Sequence, residues 1–228
     1  MKDTYLVTGA NRGLGLELTR SLLADGHRVI ATCRDPGSAT ALATASDTGS
    51  LEILPLDVVC PDSIEQLADV LAERPLDVLV NNAGIMDRHD NADEMDYDAW
   101  MKTFAVNTLA PVRLANRLRP NLSVSRHPRV VTVSSQMGSI TRGGTGSIAY
   151  RSSKAAVNRA MRSLADEWSG DGFTVVVVHP GWVRTDMGGG EATLSPRESA
   201  ADLTKLMAGL TLADNGRFLN HDGSSMPW

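Results

Sequence analysis

The sequence predicts one α/β domain, doubly wound around a mainly parallel sheet of about seven strands with helices on both faces. Three observations carry that expectation. Short apolar segments of strand length alternate with longer segments of helical periodicity along the whole chain. A glycine-rich turn follows the first strand segment directly, where such a domain bends into its first helix. The run Phe173-Thr174-Val175-Val176-Val177-Val178 is too apolar to face water on either side, as expected of a strand covered by helices on both faces. With 228 residues and 42 % hydrophobic content, the chain suffices for one sizeable core, so residues 1–228 are read as a single domain.

Taken in order, Tyr5-Leu6-Val7-Thr8 is a short apolar strand and Gly9 to Gly15 the turn after it. A helix follows, with Leu14, Leu18 and Leu22 spaced four apart and Gly26 as its stop. Arg28 to Cys33 reads as a second strand, and Pro36 to Ser46 as a weak, alanine-rich helix. Leu51 to Leu56 is a third strand closing on Asp57; Pro61 then opens a helix whose Ile64, Leu67, Val70 and Leu71 form one apolar face. Leu76 to Val80 is the fourth strand, ending in Asn81-Asn82-Ala83-Gly84. A longer helix starts near Asp96, carries Trp100, Phe104 and Asn107, and continues past Pro111 towards Leu118. Arg129 to Val133 is the fifth strand and runs into Ser134-Ser135. A Gly- and Ser-rich loop leads to a helix reaching about Trp168. After the sixth strand, residues 180–195 are loop, Pro196 to Leu210 a helix, and Gly216 to Leu219 a last short strand. Parallel strands joined by right-handed crossovers place a site at the carboxyl ends of the strands.

Composition narrows the function classes. A net charge of −5 gives no reason to expect nucleic acid as a partner. No apolar run approaches the ~18 residues of a membrane span. Cys33 and Cys60 are too few for a disulfide framework, and Met1 leads straight into a strand without a signal-peptide pattern, so a cytoplasmic location is expected. His27, His89, His127, His179 and His221 show no metal-like spacing, and no metal is expected.

Chemistry concentrates in Tyr150-Arg151-Ser152-Ser153-Lys154. On a helix Tyr150 and Lys154 share a face. An ammonium within hydrogen-bonding range would lower the phenol's pKa and make it a usable general acid/base. The turn at Gly9, Gly13 and Gly15 fits a phosphate cradle, because unpaired N–H groups and the helix dipole favour an anion there. At the end of the second strand an acidic residue selects NAD, whereas arginine accommodates a 2′-phosphate. Cys33-Arg34 stands there, and Arg34 with Arg12 could fork onto a phosphate. At ~1.5–3 kcal/mol per charged bond the two favour NADP over NAD by roughly a hundredfold. Asp35 is the opposing feature, since it could neutralise Arg34 or itself reach the ribose.

Thr8-Gly9-x-x-x-Gly13-x-Gly15, Asn81-Asn82-Ala83-Gly84, Asn107, Ser135, Tyr150-x-x-x-Lys154 and Pro180-Gly181 stand in the order found in the classical short-chain dehydrogenase/reductase family. The chain resembles that family over essentially its whole length. The segment after the second strand, the Tyr-Arg-Ser-Ser-Lys core and the ending Asp222 to Trp228 are most similar to its carbonyl-reductase branch, with sniffer-like and C-factor-like members. The resemblance implies a Rossmann-type fold and an NADP(H)-dependent oxidoreductase acting on an aldehyde, a ketone or the corresponding alcohol. It assigns Tyr150 as general acid/base, Lys154 as the group lowering its pKa and bonding the nicotinamide ribose, Ser135 as the holder of the carbonyl oxygen, and Asn107 as anchor of a relay water. The cofactor residues it implies are Gly9, Asn11, Arg12, Gly13, Leu14 and Gly15 of the turn, Arg34, Asp57 and Val58. Asn81, Ala83 and Gly84 would line the adenosine side, and Pro180, Gly181, Val183 and Thr185 the carboxamide and phosphate side. It also implies a homodimer or homotetramer pairing through the helices that carry Asn107 and Tyr150.

Two stretches depart from the pattern. The interval between Ser135 and Tyr150 holds Gly143, Gly144 and Gly146 and is slightly long, which brings Ser134 and Ser139 in as rivals of Ser135. Residues 182–200 stand where relatives carry a substrate-covering loop, and Met187-Gly188-Gly189-Gly190 makes a mobile segment and an open pocket the expectation. The contrasting functional class is a non-catalytic NADP(H)-binding regulator on the same fold.

Overall fold

The computed structural model describes residues 2–45, 49–86, 92–93 and 95–228. The elements run β1 (Thr4–Thr8), α1 (Gly13–Ala24), β2 (Arg28–Cys33), α2 (Thr40–Ala43), β3 (Leu51–Pro55), α3 (Pro61–Leu71) and β4 (Val78–Asn81). They continue α4 (Tyr97–Phe104), a π turn (Ala105–Leu109), α5 (Ala110–Arg117), α6 (Arg119–Ser123), β5 (Arg129–Val133), α7 (Ile148–Glu167), β6 (Thr174–His179), α8 (Pro196–Gly209) and β7 (Phe218–Asn220). The strands form one sheet in the order β3-β2-β1-β4-β5-β6-β7. Every neighbouring pair is parallel. The order reverses between β1 and β4, and there the carboxyl ends of two strands diverge and leave a crevice.

Strand alternation divides the core into two layers. Leu6, Leu79, Val130, Val175 and Val177 point towards α3, α5 and α7, where Ile64, Leu67, Leu114, Val157 and Met161 meet them. Tyr5, Val7, Val80, Val131, Val176 and Val178 point the other way, onto Leu18 and Leu22 of α1 and Leu203 and Met207 of α8. All six residues of β6 are buried, as its unbroken apolar run requires. Among the described residues no helix is long and apolar enough to cross a membrane.

The differences from expectation have local causes. The weak helix at 36–46 is a 3-10 turn at Pro36–Ser38 followed by the single-turn α2, and Ser46 lies outside the described residues. Asp35 ends the strand by accepting a bond from the Gly37 N–H, and only Leu42 of α2 is buried, so nothing extends the helix. The long helix begins where expected, with the Asp96 carboxylate capping Asp98 and Ala99, but a π turn interrupts it before Ala110. On α3 the buried stripe is Ile64, Leu67, Ala68 and Leu71, while Val70 stands outward at 54 % exposure. Helical geometry puts Ala68, not Val70, four residues after Ile64. Leu67→Ala should therefore cost about 2–5 kcal/mol in chemical denaturation. Val70→Ala should change stability by less than about 0.5 kcal/mol.

Candidate active site

The glycine turn is held open by its own backbone. Gly9 and Gly13 take φ of +65° and +55°, a region that favours glycine. Gly15 faces the Gly9 carbonyl so closely that any side chain would overlap it. The turn is tied to the end of β4: Asn82 Nδ2 donates to the Thr8 carbonyl at 2.8 Å, and Thr8 Oγ1 accepts the N–H groups of Asn82 and Ala83 at 3.0 Å. Arg12 occupies the N-cap of α1 without a side-chain cap, and no acidic residue sits in the first turn. The uncapped helix end and the close-approaching backbone suit an anion such as a pyrophosphate. Asn11 and Arg12 are exposed beside it, and Leu14 is half-buried.

The residues expected around an adenosine divide into two sets. Asp57 turns its carboxylate onto the Val59 N–H at 3.1 Å, which shapes the turn after β3. Val58, Ala83 and Val106 line a hollow beneath it. Asn81 is buried and lines that hollow; its Nδ2 donates to Thr132 Oγ1 at 3.3 Å, and its Oδ1 has no partner among the described residues. Arg34 is exposed, and among the described residues its guanidinium makes neither ion pair nor hydrogen bond. Asp35 forms no ion pair with it among the described residues, and its carboxylate accepts the Gly37 N–H. Arg12 reaches instead to Asp186 at 2.6 Å. Both side chains of that pair are largely in solvent, so it is a weak contact that an anionic ligand can displace.

At the carboxyl end of β5, Ser135 and Tyr150 come together, with the Ser135 hydroxyl hydrogen-bonded to the phenol. Ser135 also accepts the Met137 N–H at 3.1 Å, which opens a short 3-10 turn after the strand. Neither rival serine competes. Ser134 bonds Asn158 Oδ1 at 2.6 Å, and Ser139 is bound to the Trp228 carbonyl and the Arg142 N–H. Tyr150 and Lys154 lie on the buried face of α7, which Ser147 enters at φ +50°. Lys154 Nζ donates to the Val133 carbonyl at 2.8 Å and sits 5.7 Å from the centre of the Tyr150 ring.

The expectation that the ammonium depresses the phenol is therefore not met in this geometry. Burial dominates both groups: the Tyr150 phenol is pushed up to about 12, with the Ser135 bond opposing, and the Lys154 ammonium is pushed down to about 8. The cause is desolvation of the charged form on each side, and it overrides a neighbour that points its proton elsewhere.

Asn107 stands in the π turn. Its Oδ1 accepts the Ile85 N–H at 2.9 Å, and its Nδ2 donates to the Ile85 carbonyl and to Ser153 Oγ at 2.8 and 3.0 Å. Both donors of the carboxamide are thus used within the chain, while its oxygen accepts one recorded bond and keeps a second acceptor position. Gly84 brings it beside Lys154: a side-chain carbon on Gly84 would lie 3.4 Å from Asn107 Oδ1 and 3.7 Å from Lys154 Nζ.

Pro180 and Gly181 follow β6, and Gly181 takes φ of +82°. Val183 is buried and bridged to Leu194, and Thr185 Oγ1 accepts the Gly188 N–H at 3.1 Å. The glycine-rich segment expected to be mobile is bonded internally: Trp182 Nε1 donates to the Gly188 carbonyl and Arg184 to the Ala192 carbonyl. It ends at Ser195, which forms a capping box with Glu198, so residues 196–200 are helix, not loop. Met86 is the last described residue before 87–91, and His89 and Glu94 lie outside the described residues.

Several supports were not visible in the sequence. Asn82 and Thr8 brace the turn, Ser153 links Asn107 to the Tyr150 carbonyl, and Gly138 lets its loop rest on the backbone of Lys154. Thr8, Asn82 and Ser153 stand within the motifs quoted from the sequence, whereas Gly138 carried no signal there.

The profile of the family described as short chain dehydrogenase matches residues 3–193. Over 155 residues the chain is 40 % identical to the C-signal protein of Myxococcus xanthus, covering 68 % of this chain and 93 % of that protein. The structure superposes on the carbonyl reductase Sniffer of D. melanogaster with a TM-score of 0.94 at 31 % identity, and on an NADPH-bound carbonyl reductase from chicken fatty liver with 0.93 at 34 %. Each superposition covers 100 % of both chains. The chain belongs to the short-chain dehydrogenase family of oxidoreductases.

Proposed function

We propose that the protein is an NADP(H)-dependent carbonyl reductase that acts on an aldehyde or ketone, and on the corresponding alcohol in the reverse direction. The observation that carries this reading is the Ser135–Tyr150 hydrogen bond, with Lys154 one helical turn on, at the mouth of an open glycine cradle. When bound, a nicotinamide supplies or accepts the hydride. The side chains manage the proton and the charge. As negative charge grows on the carbonyl oxygen, Ser135 donates to it and Tyr150, protonated at neutral pH, releases its proton. Lys154, with its pKa already near 8, is poised to replenish that proton. Asn107 positions the site by holding Ile85 and Ser153. Arg34, together with Arg12 once Asp186 lets it go, supplies two guanidinium groups for a 2′-phosphate. Self-association through α4 and the π turn fits the exposure of Tyr97, Met101 and Leu109 there.

The likeness to the C-signal protein favours one second reading, a signalling protein on the same fold that binds cofactor without turnover. Tyr150→Phe separates the two. A reductase should lose at least about a hundredfold in kcat while NADPH binding changes little. A signalling protein should keep its biological effect.

Two further outcomes are expected. Arg34→Ala should weaken NADPH by roughly ten- to a hundredfold and leave NADH unchanged in equilibrium titration. Lys154 folds with its pKa lowered from 10.5 to about 8, so between those values the unfolded chain holds a proton that the folded chain has released. Stability of the unliganded protein should rise with pH in that window relative to Lys154→Met. Tyr150 and Tyr5, both raised to about 12, act in the opposite sense above pH 10, which confines the useful comparison to pH 8–10.

A further inference from the structure

Granted the reductase reading, on which this rests, we propose that Arg151 is a positioning residue: its guanidinium fastens the glycine loop 143–147 to the first turn of α7 and so keeps Tyr150 aimed at Ser135. Tyr150 is the third residue of α7. The first turn of a helix is the part that frays, so a general acid placed there keeps its aim only if the entering chain is held. A displacement of about 1 Å at such a group can cost on the order of a hundredfold in rate.

The backbone of the entering loop is turned over along almost its whole length. Gly143, Gly144, Gly146 and Ser147 take φ of +60°, +129°, +68° and +50°. Glycine adopts such angles freely, but Ser147 does not, and its side chain makes no cap bond. A serine stays in that conformation when its surroundings over-determine it. Arg151 supplies the hold. Its Nη1 donates to the Gly143 carbonyl at 3.1 Å, its Nε to the Gly146 carbonyl at 3.0 Å, and its backbone N–H to the Ser147 carbonyl at 2.8 Å. Gly144 lies against the same guanidinium: a side-chain carbon there would come 2.5 Å from Nη2 and 2.6 Å from Cζ.

Side-chain packing does little of this work. Residues 143–146 are exposed, and a cavity of about 430 Å³ opens beside them, lined by Gly144, Thr145, Gly146 and Ile148 with Ala92. The earlier half of the connection from Ser135 is tied down separately, because the Ser139 and Thr141 hydroxyls donate to the Trp228 carbonyl at 3.1 and 3.0 Å. The stretch that could carry Tyr150 out of line is therefore 143–147, and the side chain that grips it belongs to the very next residue. Two carbonyls set apart call for a rigid fork of donors, which a guanidinium provides and a single ammonium does not.

The test compares Arg151→Ala, Gly144→Ala, whose methyl would displace the guanidinium, and the double variant, each as the whole protein labelled with [13Cζ]tyrosine; Tyr150→Phe assigns the signal. In both single variants the Tyr150 signal should move towards that of Tyr97, which is 70 % exposed, and the double variant should go no further, since all three undo one clamp. Circular dichroism checks the fold, and if one single variant loses it the other carries the same reading. Turnover is read separately, with NADPH and 4-nitrobenzaldehyde, hexanal or cyclohexanone. The kcat should fall at least about tenfold while NADPH affinity stays within about twofold. An unmoved Tyr150 signal, a moved signal with unchanged kcat, NADPH affinity falling in step with kcat, or additive effects in the double variant overturns the positioning role. A moved signal, with no reduction of any of the three carbonyls by the unaltered protein, upholds the grip of Arg151 on Tyr150 and counts against the reductase reading alone.

Discussion

The bond from the Lys154 ammonium to the Val133 carbonyl is the constraint on which the rest of the site depends. An ammonium buried without an acceptor costs several kcal/mol, so α7 must cross the sheet where β5 ends and a carbonyl is free of the ladder. That crossing leaves almost no space between helix and loop. Gly138 meets it: a side-chain carbon there would lie 2.7 Å from the Lys154 carbonyl carbon. With Val133 fixed from below and Gly138 from above, Ser135 has little freedom, and the helix delivers Tyr150 onto it one turn before the lysine.

The same burial sets the electrostatics. Removing water raises the phenol and lowers the ammonium, so the two groups approach a state in which neither is charged. A pair in that condition responds strongly to a third group. Any ligand that draws the Lys154 ammonium off the Val133 carbonyl, or brings a positive charge near the phenol, acts at low dielectric where each interaction is worth more than in water.

How much of this could be read from residues alone follows the range of the forces involved. Strand order, the glycine turn and the Tyr150–Lys154 helix face arise from periodicity and backbone sterics, and Leu18, Leu22 and the six buried residues of β6 lie as their spacing requires. The failures lie where a long-range partner decides. Val70 belongs to an apolar series by composition but falls just outside the stripe that the sheet covers. Arg12 and Arg34 look equivalent in sequence, yet among the described residues only Arg12 meets a carboxylate, because Asp186 arrives from 174 residues away. The direction of the Tyr150 shift is not legible in the sequence, because spacing shows that a lysine is near but not what it bonds.

The π turn at Ala105–Leu109 has a consequence for how this chain can change. It behaves as a helix with one surplus residue, and each residue rotates an α-helix by about a quarter turn. Removing one residue anywhere between the Asp96 cap and Ala110 would swing either Asn107 away from Ser153 or Ala110 and Leu114 out of the core. An insertion or deletion in this stretch is therefore opposed by the site on one side and the core on the other.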